Sequence, residues 1–196
     1  MKTEVKERPI LFSDPMVRAL LVGLKTQTRR LLKPQPEKRG CSWYWHDYTW
    51  FSDKRRPIDV YTGGSLQPCP FGAAGSRLWV RETWCQVPCT DGKTYTVYRA
   101  NWENAGCRLR WKSALHMPRA ISRINLEITS VRVERLQDIS EADALAEGMA
   151  ALMRGCTRYD GEARDTFQWL WGRINPGSWN ANPWVWVLNF RRLQPA

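Results

Sequence analysis

The chain has 196 residues, 30 Lys and Arg against 19 Asp and Glu, and a formal net charge of +11. Its hydrophobic share of 43% is that of a globular protein, and no run approaches the roughly 20 apolar residues of a membrane-spanning helix. A membrane-spanning helix is therefore not expected, and one domain covering residues 1–196 is.

The charged first eight residues are not followed by the apolar core of a secretion signal, so a cytoplasmic chain with reduced cysteines is expected. The basic residues are spread along the chain and interleaved with aromatics, twelve of them Trp. This pattern suits a polyanionic partner such as nucleic acid, with Trp either packing a bulky core or offering stacking platforms.

Residues 13–15, Ser-Asp-Pro, predict a helix start, with Asp14 as cap and Pro15 in the first turn. Met16, Val17, Ala19, Leu20 and Leu21 supply its apolar face, and Gly23 ends it. Residues 26–32 read as a strand, with Thr26, Thr28 and Arg30 on one face and Gln27, Arg29 and Leu31 on the other. Residues 33–76 carry prolines, a Gly-Gly pair and an aromatic cluster at 43–51, without an apolar period. They predict a long irregular insertion, either a ligand-covering lid or an ordinary structured loop.

Regular pattern returns in predicted strands at 77–84 and 94–99. Residues 121–135 alternate through Ile124, Leu126 and Ile128, slip near Ser130, and resume at Val131 and Val133, which predicts a bulged strand. A helix follows, capped by Ser140 with Asp143 three residues on and closed by Gly148. Residues 165–174 form a second amphipathic helix. Residues 184–190 are apolar on both faces and predict a central strand. Short strands with intervening helices indicate an α+β fold, a small β-barrel of mostly antiparallel strands flanked by short helices.

The segment Gly23-Leu24-Lys25-Thr26-Gln27-Thr28-Arg29-Arg30, preceded by a short helix, resembles the signature G-x-K-T-x-T-x-R of the ASCH family. Residues 136–148 resemble that family's helix ending in a functional Glu, and residues 183–190 its closing strand. Residues 78–84 and 116–119 look like the longer ASCH-related proteins of bacteriophages and prophages. Leu24 and Ser76 depart from the usual pattern, standing where a basic residue and Asp are frequent. The resemblance implies a PUA-like fold and an association with RNA or modified nucleosides. Small ASCH enzymes remove the acetyl group of N4-acetylcytidine without a cofactor. By motif position their catalytic residues fall on Lys25, Thr28 and Glu147.

That chemistry has its own logic. Amide hydrolysis needs a nucleophile, a proton acceptor and stabilisation of an oxyanion. A desolvated Lys25 beside Arg29 and Arg30 would lose its proton more easily and accept that of Thr28, while Glu147 would either protonate the leaving amine or activate water in the second step. Lys25 and Thr28 converge only if Lys25 sits in the turn before the strand, and Glu147 stands badly for a helix C-terminus, which prefers cations.

Further candidates for contact with ligand or nucleic acid are Arg29, Arg30, Arg81, Glu82, Trp84 and Tyr98. The arginines are suited to phosphate or a base edge, and Trp79, Trp84 and Tyr98 to stacking or to core packing. A salt bridge from Glu82 to Arg81 or Arg30 is an equal alternative. His46 and His116 match no metal spacing, and a zinc site of Cys41, Cys69, Cys85 and Cys89 is a further alternative. Three functions stay open: hydrolysis of a modified pyrimidine nucleoside, non-catalytic binding of RNA or a modified DNA base, and ribonuclease activity.

Overall fold

The computed structural model describes residues 7–39, 42–45, 48–51, 69–102, 108–153 and 162–194. A five-stranded mixed sheet organises them, built from β1 (Glu7–Leu11), β2 (Gln27–Leu31), β6 (Arg77–Arg81), β9 (Asn125–Arg135) and β10 (Trp184–Leu193) in the order β1-β6-β9-β10-β2. Only the β1–β6 pair is parallel. The fold is α+β, with helices α1 (Asp14–Leu21), α2 (Glu141–Ala146), α3 (Met149–Met153), α4 (Ala163–Ile174) and α5 (Ser178–Ala181).

The sheet's interior is legible in its side chains. Trp184, Val185, Trp186, Val187 and Leu188 are all buried, as expected for a strand flanked on both edges and covered on both faces. On β9, Leu126 and Ile128 pair ahead of the bulge, and Val131 and Val133 after it. Asn189 faces Ser130 while Phe190 faces Ile128, so Thr129 is the extra residue. The bulge shifts the alternation by one, and both apolar pairs are thereby buried instead of one being turned to solvent.

Several expectations are corrected. The barrel does not close: among the described residues β1 and β2 are the free edges of an open sheet. In place of a ladder, the Arg30 guanidinium reaches from β2 to the Leu11 carbonyl of β1 at 2.6 Å. The edge strand β1 has no clear apolar period, since only Ile10 is buried and Pro9 interrupts it, and an edge position tolerates both. The insertion is partly regular, with β3 (Glu37–Arg39), β4 (Ser42–Trp45) and β5 (Tyr48–Phe51) in an antiparallel meander. Residues 52–68 of it lie outside the described residues. The strand expected at 77–84 divides at Glu82 and Thr83 into β6 and β7 (Trp84–Pro88), which pairs with β8 (Thr94–Tyr98). Ser13, not Asp14, is the N-cap of α1, and Asp14 opens the helix with its carboxylate on Arg99. No helix among the described residues is long and apolar enough to cross a membrane.

The junction of α2 and α3 is closely packed. Ser140 and Asp143 form the expected capping box, and α2 ends at Glu147 with Gly148 at φ +93°. A Cβ at Gly148 would stand 2.9 Å from Ala19 Cβ and 3.1 Å from Lys25 Cβ. Gly148→Ala therefore combines a strained backbone with a collision, and should lower unfolding free energy by about 2 kcal/mol or more in chemical denaturation. Gly23→Ala has positive φ but open space around it, and should cost less.

Candidate functional site: a buried lysine–glutamate pair in a cleft

A cleft of about 790 Å³ opens beside the two sheet edges. Leu11, Phe12 and the start of α1 line it on one side, Thr28, Arg29, Arg30 and Leu31 of β2 on another, and Trp186, Phe167 and Trp171 contribute apolar surface. Lys33 and Phe71, close to the two ends of the insertion, also line it.

Lys25 and Glu147 meet in this cleft. Gly23, at φ +76°, closes α1, and the backbone N–H groups of Leu24 and Lys25 both donate to the Ala19 carbonyl. This holds Lys25 in the turn before β2, as its convergence with the site requires. The Thr26 N–H then donates to the Ala146 carbonyl at 2.8 Å and clasps the turn to the end of α2.

The Lys25 ammonium donates to Gln27 O at 2.9 Å, Glu147 O at 2.8 Å and Glu147 Oε2 at 2.8 Å. Its three protons thus have three acceptors, and the residue is only 4% exposed. The misfit of a glutamate at a helix C-terminus disappears here, because the lysine cation sits on both the carboxylate and the last carbonyl of α2. Burial pushes the Lys25 pKa below its ordinary value. Glu147 opposes that shift, and the charges of Arg30 and Arg29 reinforce it.

Arg29 holds the pair from the other side. Its guanidinium contacts Glu147 Oε1 at 3.5 Å and Asp143 Oδ2 at 3.2 Å, and also bonds Glu134 and the Gln27 side chain. Arg132 bridges Glu134 and Asp143 at 3.0 Å each. Cations and carboxylates alternate through this network, so each buried charge has a counter-charge. Asp143 serves it as well as the capping box. Burial alone would raise its pKa, but the Gln27 hydrogen bond, the Arg29 and Arg132 charges and the Ser140 bond bring it down to about 2.

Thr28 is buried and lines the cleft, and among the described residues its hydroxyl has no hydrogen-bond partner. Arg30 lines it too. Phe12 lies within reach of both cations, 5.3 Å from Lys25 Nζ and 5.1 Å from the Arg30 guanidinium carbon.

The structure thus brings Lys25, Thr28, Arg29, Arg30 and Glu147 together. It does not bring Arg81, Glu82, Trp84 or Tyr98 to them, because the chain turns away between β6 and β7 and only Thr83 of that corner reaches the cleft. Glu82 is fully buried in a two-pronged bond with Arg123, at 2.9 and 2.8 Å, so neither Arg81 nor Arg30 is its partner. Arg123 also lies 4.0 Å over the Tyr98 ring, whose hydroxyl donates to the Ile121 carbonyl. Arg81 stacks 4.7 Å over buried Trp79 and donates to the Leu115 carbonyl. Trp84 is core, with Lys112 over its ring. These four residues brace the corner.

Phe12, Asp143, Glu134 and Trp186 belong to the site or its support without having been singled out for it. Asp143 was visible only as a capping residue, and Trp186 only as core. Of the suggested zinc ligands, Cys41 lies outside the described residues, Cys69 and Cys85 are buried, and Cys89 is exposed. Burial drives the Cys69 thiol up to about 11 and raises that of Cys85, both disfavouring thiolate. Among the described residues no cluster of three or more His, Cys, Asp or Glu side chains is placed to hold a metal ion.

No protein-family model, curated protein or solved structure matches the chain.

Two outcomes follow from the network. Lys25→Met strands a buried carboxylate and should cost about 3–5 kcal/mol by denaturant titration, while adding Glu147→Leu should restore part of that loss. Asp143 has a folded pKa below its unfolded value. Its stabilisation is therefore complete above pH ~4 and lost as pH falls toward ~2. Asp143→Asn should flatten that acid limb, by about 1–2 kcal/mol after allowing for screening at this partly exposed site.

Proposed function

We propose that this chain is an ASCH-like, PUA-related protein that hydrolyses an acylated pyrimidine nucleoside of the N4-acetylcytidine type. The observation that carries the reading is the buried Lys25–Glu147 pair in the wall of a ligand-sized cleft that Thr28 also lines. These are the three residues on which the family's catalytic positions fall, and they come from a turn, an edge strand and a distant helix end. A cleft with aromatic and apolar walls and a few convergent polar groups is the usual form of a small-molecule site.

In this mechanism a proton first shifts from the Lys25 ammonium to Glu147, and the burial that lowers the lysine pKa eases the loss of that proton. The neutral amine then takes the Thr28 proton as the threonine oxygen attacks the acetyl carbon. Glu147 gives its proton to the departing N4 nitrogen, and the C–N bond breaks. Water next attacks the threonyl ester, with Glu147 taking a water proton and Lys25 returning its proton to the Thr28 oxygen. The product leaves as acetic acid, which gives its proton to solvent, and Glu147 passes its proton back to Lys25, so the original ion pair is restored.

One observation favours a second reading, in which the cleft binds RNA or a modified base without chemistry. All three Lys25 protons are already committed to protein acceptors, as in a structural strut. Incubation with N4-acetylcytidine, with release of cytidine followed chromatographically, separates the two. The hydrolase should turn over and Lys25→Ala should lose at least about 100-fold in rate, the usual size of a general-base contribution. Turnover no greater than that of the variant, with nucleoside still bound, overturns hydrolysis and leaves binding.

A further inference from the structure

The charges around the cleft do not balance. Five cations line it: Lys25, Arg29, Arg30, Lys33 and Arg99. Lys25 is matched by Glu147, Arg29 by Glu134 and Asp143, and Arg99 by Asp14. Arg30 and Lys33 are left over, and among the described residues neither has a carboxylate within salt-bridge distance.

Both line the cleft, Arg30 near the end of β2 and Lys33 two residues beyond it. Arg30 is held in place by its bond to the Leu11 carbonyl and by the Phe12 ring. That single bond uses one of the five guanidinium N–H groups, and its Nε finds no partner among the described residues. Burial lowers the Arg30 pKa, and the more distant charge of Glu147 opposes that shift without forming a salt bridge. A fixed arginine with spare donors and a lysine without a carboxylate partner among the described residues, both lining one cleft, suit a multiply charged oxyanion such as a phosphate.

We infer that the cleft takes a nucleotide rather than a free nucleoside, with the phosphate bound by Arg30 and Lys33. This rests on the nucleoside reading of the Lys25–Glu147 end, and adds to it the class of ligand. The same phosphate chemistry is offered by a mononucleotide and by a strand of RNA, and both are tested as ligands.

The test is calorimetric titration of the intact chain with cytidine, cytidine 5′-monophosphate, ribose 5-phosphate and a short single-stranded RNA. The monophosphate should bind at least about tenfold more tightly than cytidine, the scale of one charge-assisted pair. That advantage should shrink as salt rises. Arg30→Gln should remove most of it. Lys33→Gln, at an exposed position whose loss does not threaten folding, should remove a smaller part. Equal binding of cytidine and its monophosphate, or an advantage that survives both substitutions, overturns the inference. Ribose 5-phosphate keeps the two readings apart. If it binds in an Arg30-dependent way while cytidine does not bind and N4-acetylcytidine is not turned over, the phosphate site stands and the pyrimidine reading falls. If neither phosphate compound binds, the phosphate site falls. Tighter binding of the RNA than of the monophosphate assigns the phosphate to a strand, and the reverse assigns it to a free nucleotide.

Discussion

An ammonium group can be buried only where each proton it carries finds an acceptor, and Lys25 meets that condition with one carboxylate oxygen and two carbonyls. The arrangement joins positions 122 residues apart, and it constrains everything near it. The turn after α1 must present Lys25 at the mouth of β2, which requires the left-handed Gly23. The end of α2 must present both a carbonyl and a side chain at one point, which requires the chain to leave through Gly148 without a Cβ. Arg29 must then hold the second oxygen of Glu147, and its own charge must be matched by Glu134 and Asp143. Removing one member exposes the rest to an uncompensated charge.

The open edge of the sheet has a consequence for the site. A closed barrel would place a ladder between β1 and β2. Here a single arginine side chain crosses between them, and the cleft lies beside that crossing. Backbone ladders are uniform and unselective, whereas a side chain leaves donors free and room for a ligand. The cleft therefore carries a balanced, buried pair at one place and unbalanced cations at another. The first suits proton movement and the second an anion. On the proposed reading an N4-acylated cytidine nucleotide would match both, with an amide on its base and a charge on its phosphate.

Much of the fold was legible because burial writes itself into period. The slip at Ser130 on β9, the two-faced apolar run of β10 and the capping box of α2 each follow from local rules. β1 was not legible, since a five-residue edge strand with a proline and one buried side chain leaves no period to read. The meander of β3, β4 and β5 was missed because its Pro-rich flanks and absent apolar period looked like loop. The site divides in the same way. Lys25, Thr28 and Glu147 were legible through a motif, while Arg81, Glu82, Trp84 and Tyr98 were charged or aromatic residues on a regular strand pattern. Only the turn at Glu82 and Thr83 sends them away from the cleft.

Sequence alone determined the α+β class and the central strand, and a family resemblance suggested a lysine, a threonine and a glutamate as candidates. These depend on neighbouring residues, whose spacing is written in the chain. Tertiary structure alone decided that the sheet stays open, that Glu82 pairs with Arg123, and that Arg29 is neutralised while Arg30 and Lys33 are not. Whether a charge is spent or spare depends on which carboxylate lies within a few ångströms. Here those carboxylates come from residues 134, 143 and 147, more than a hundred positions from the arginines they meet or fail to meet.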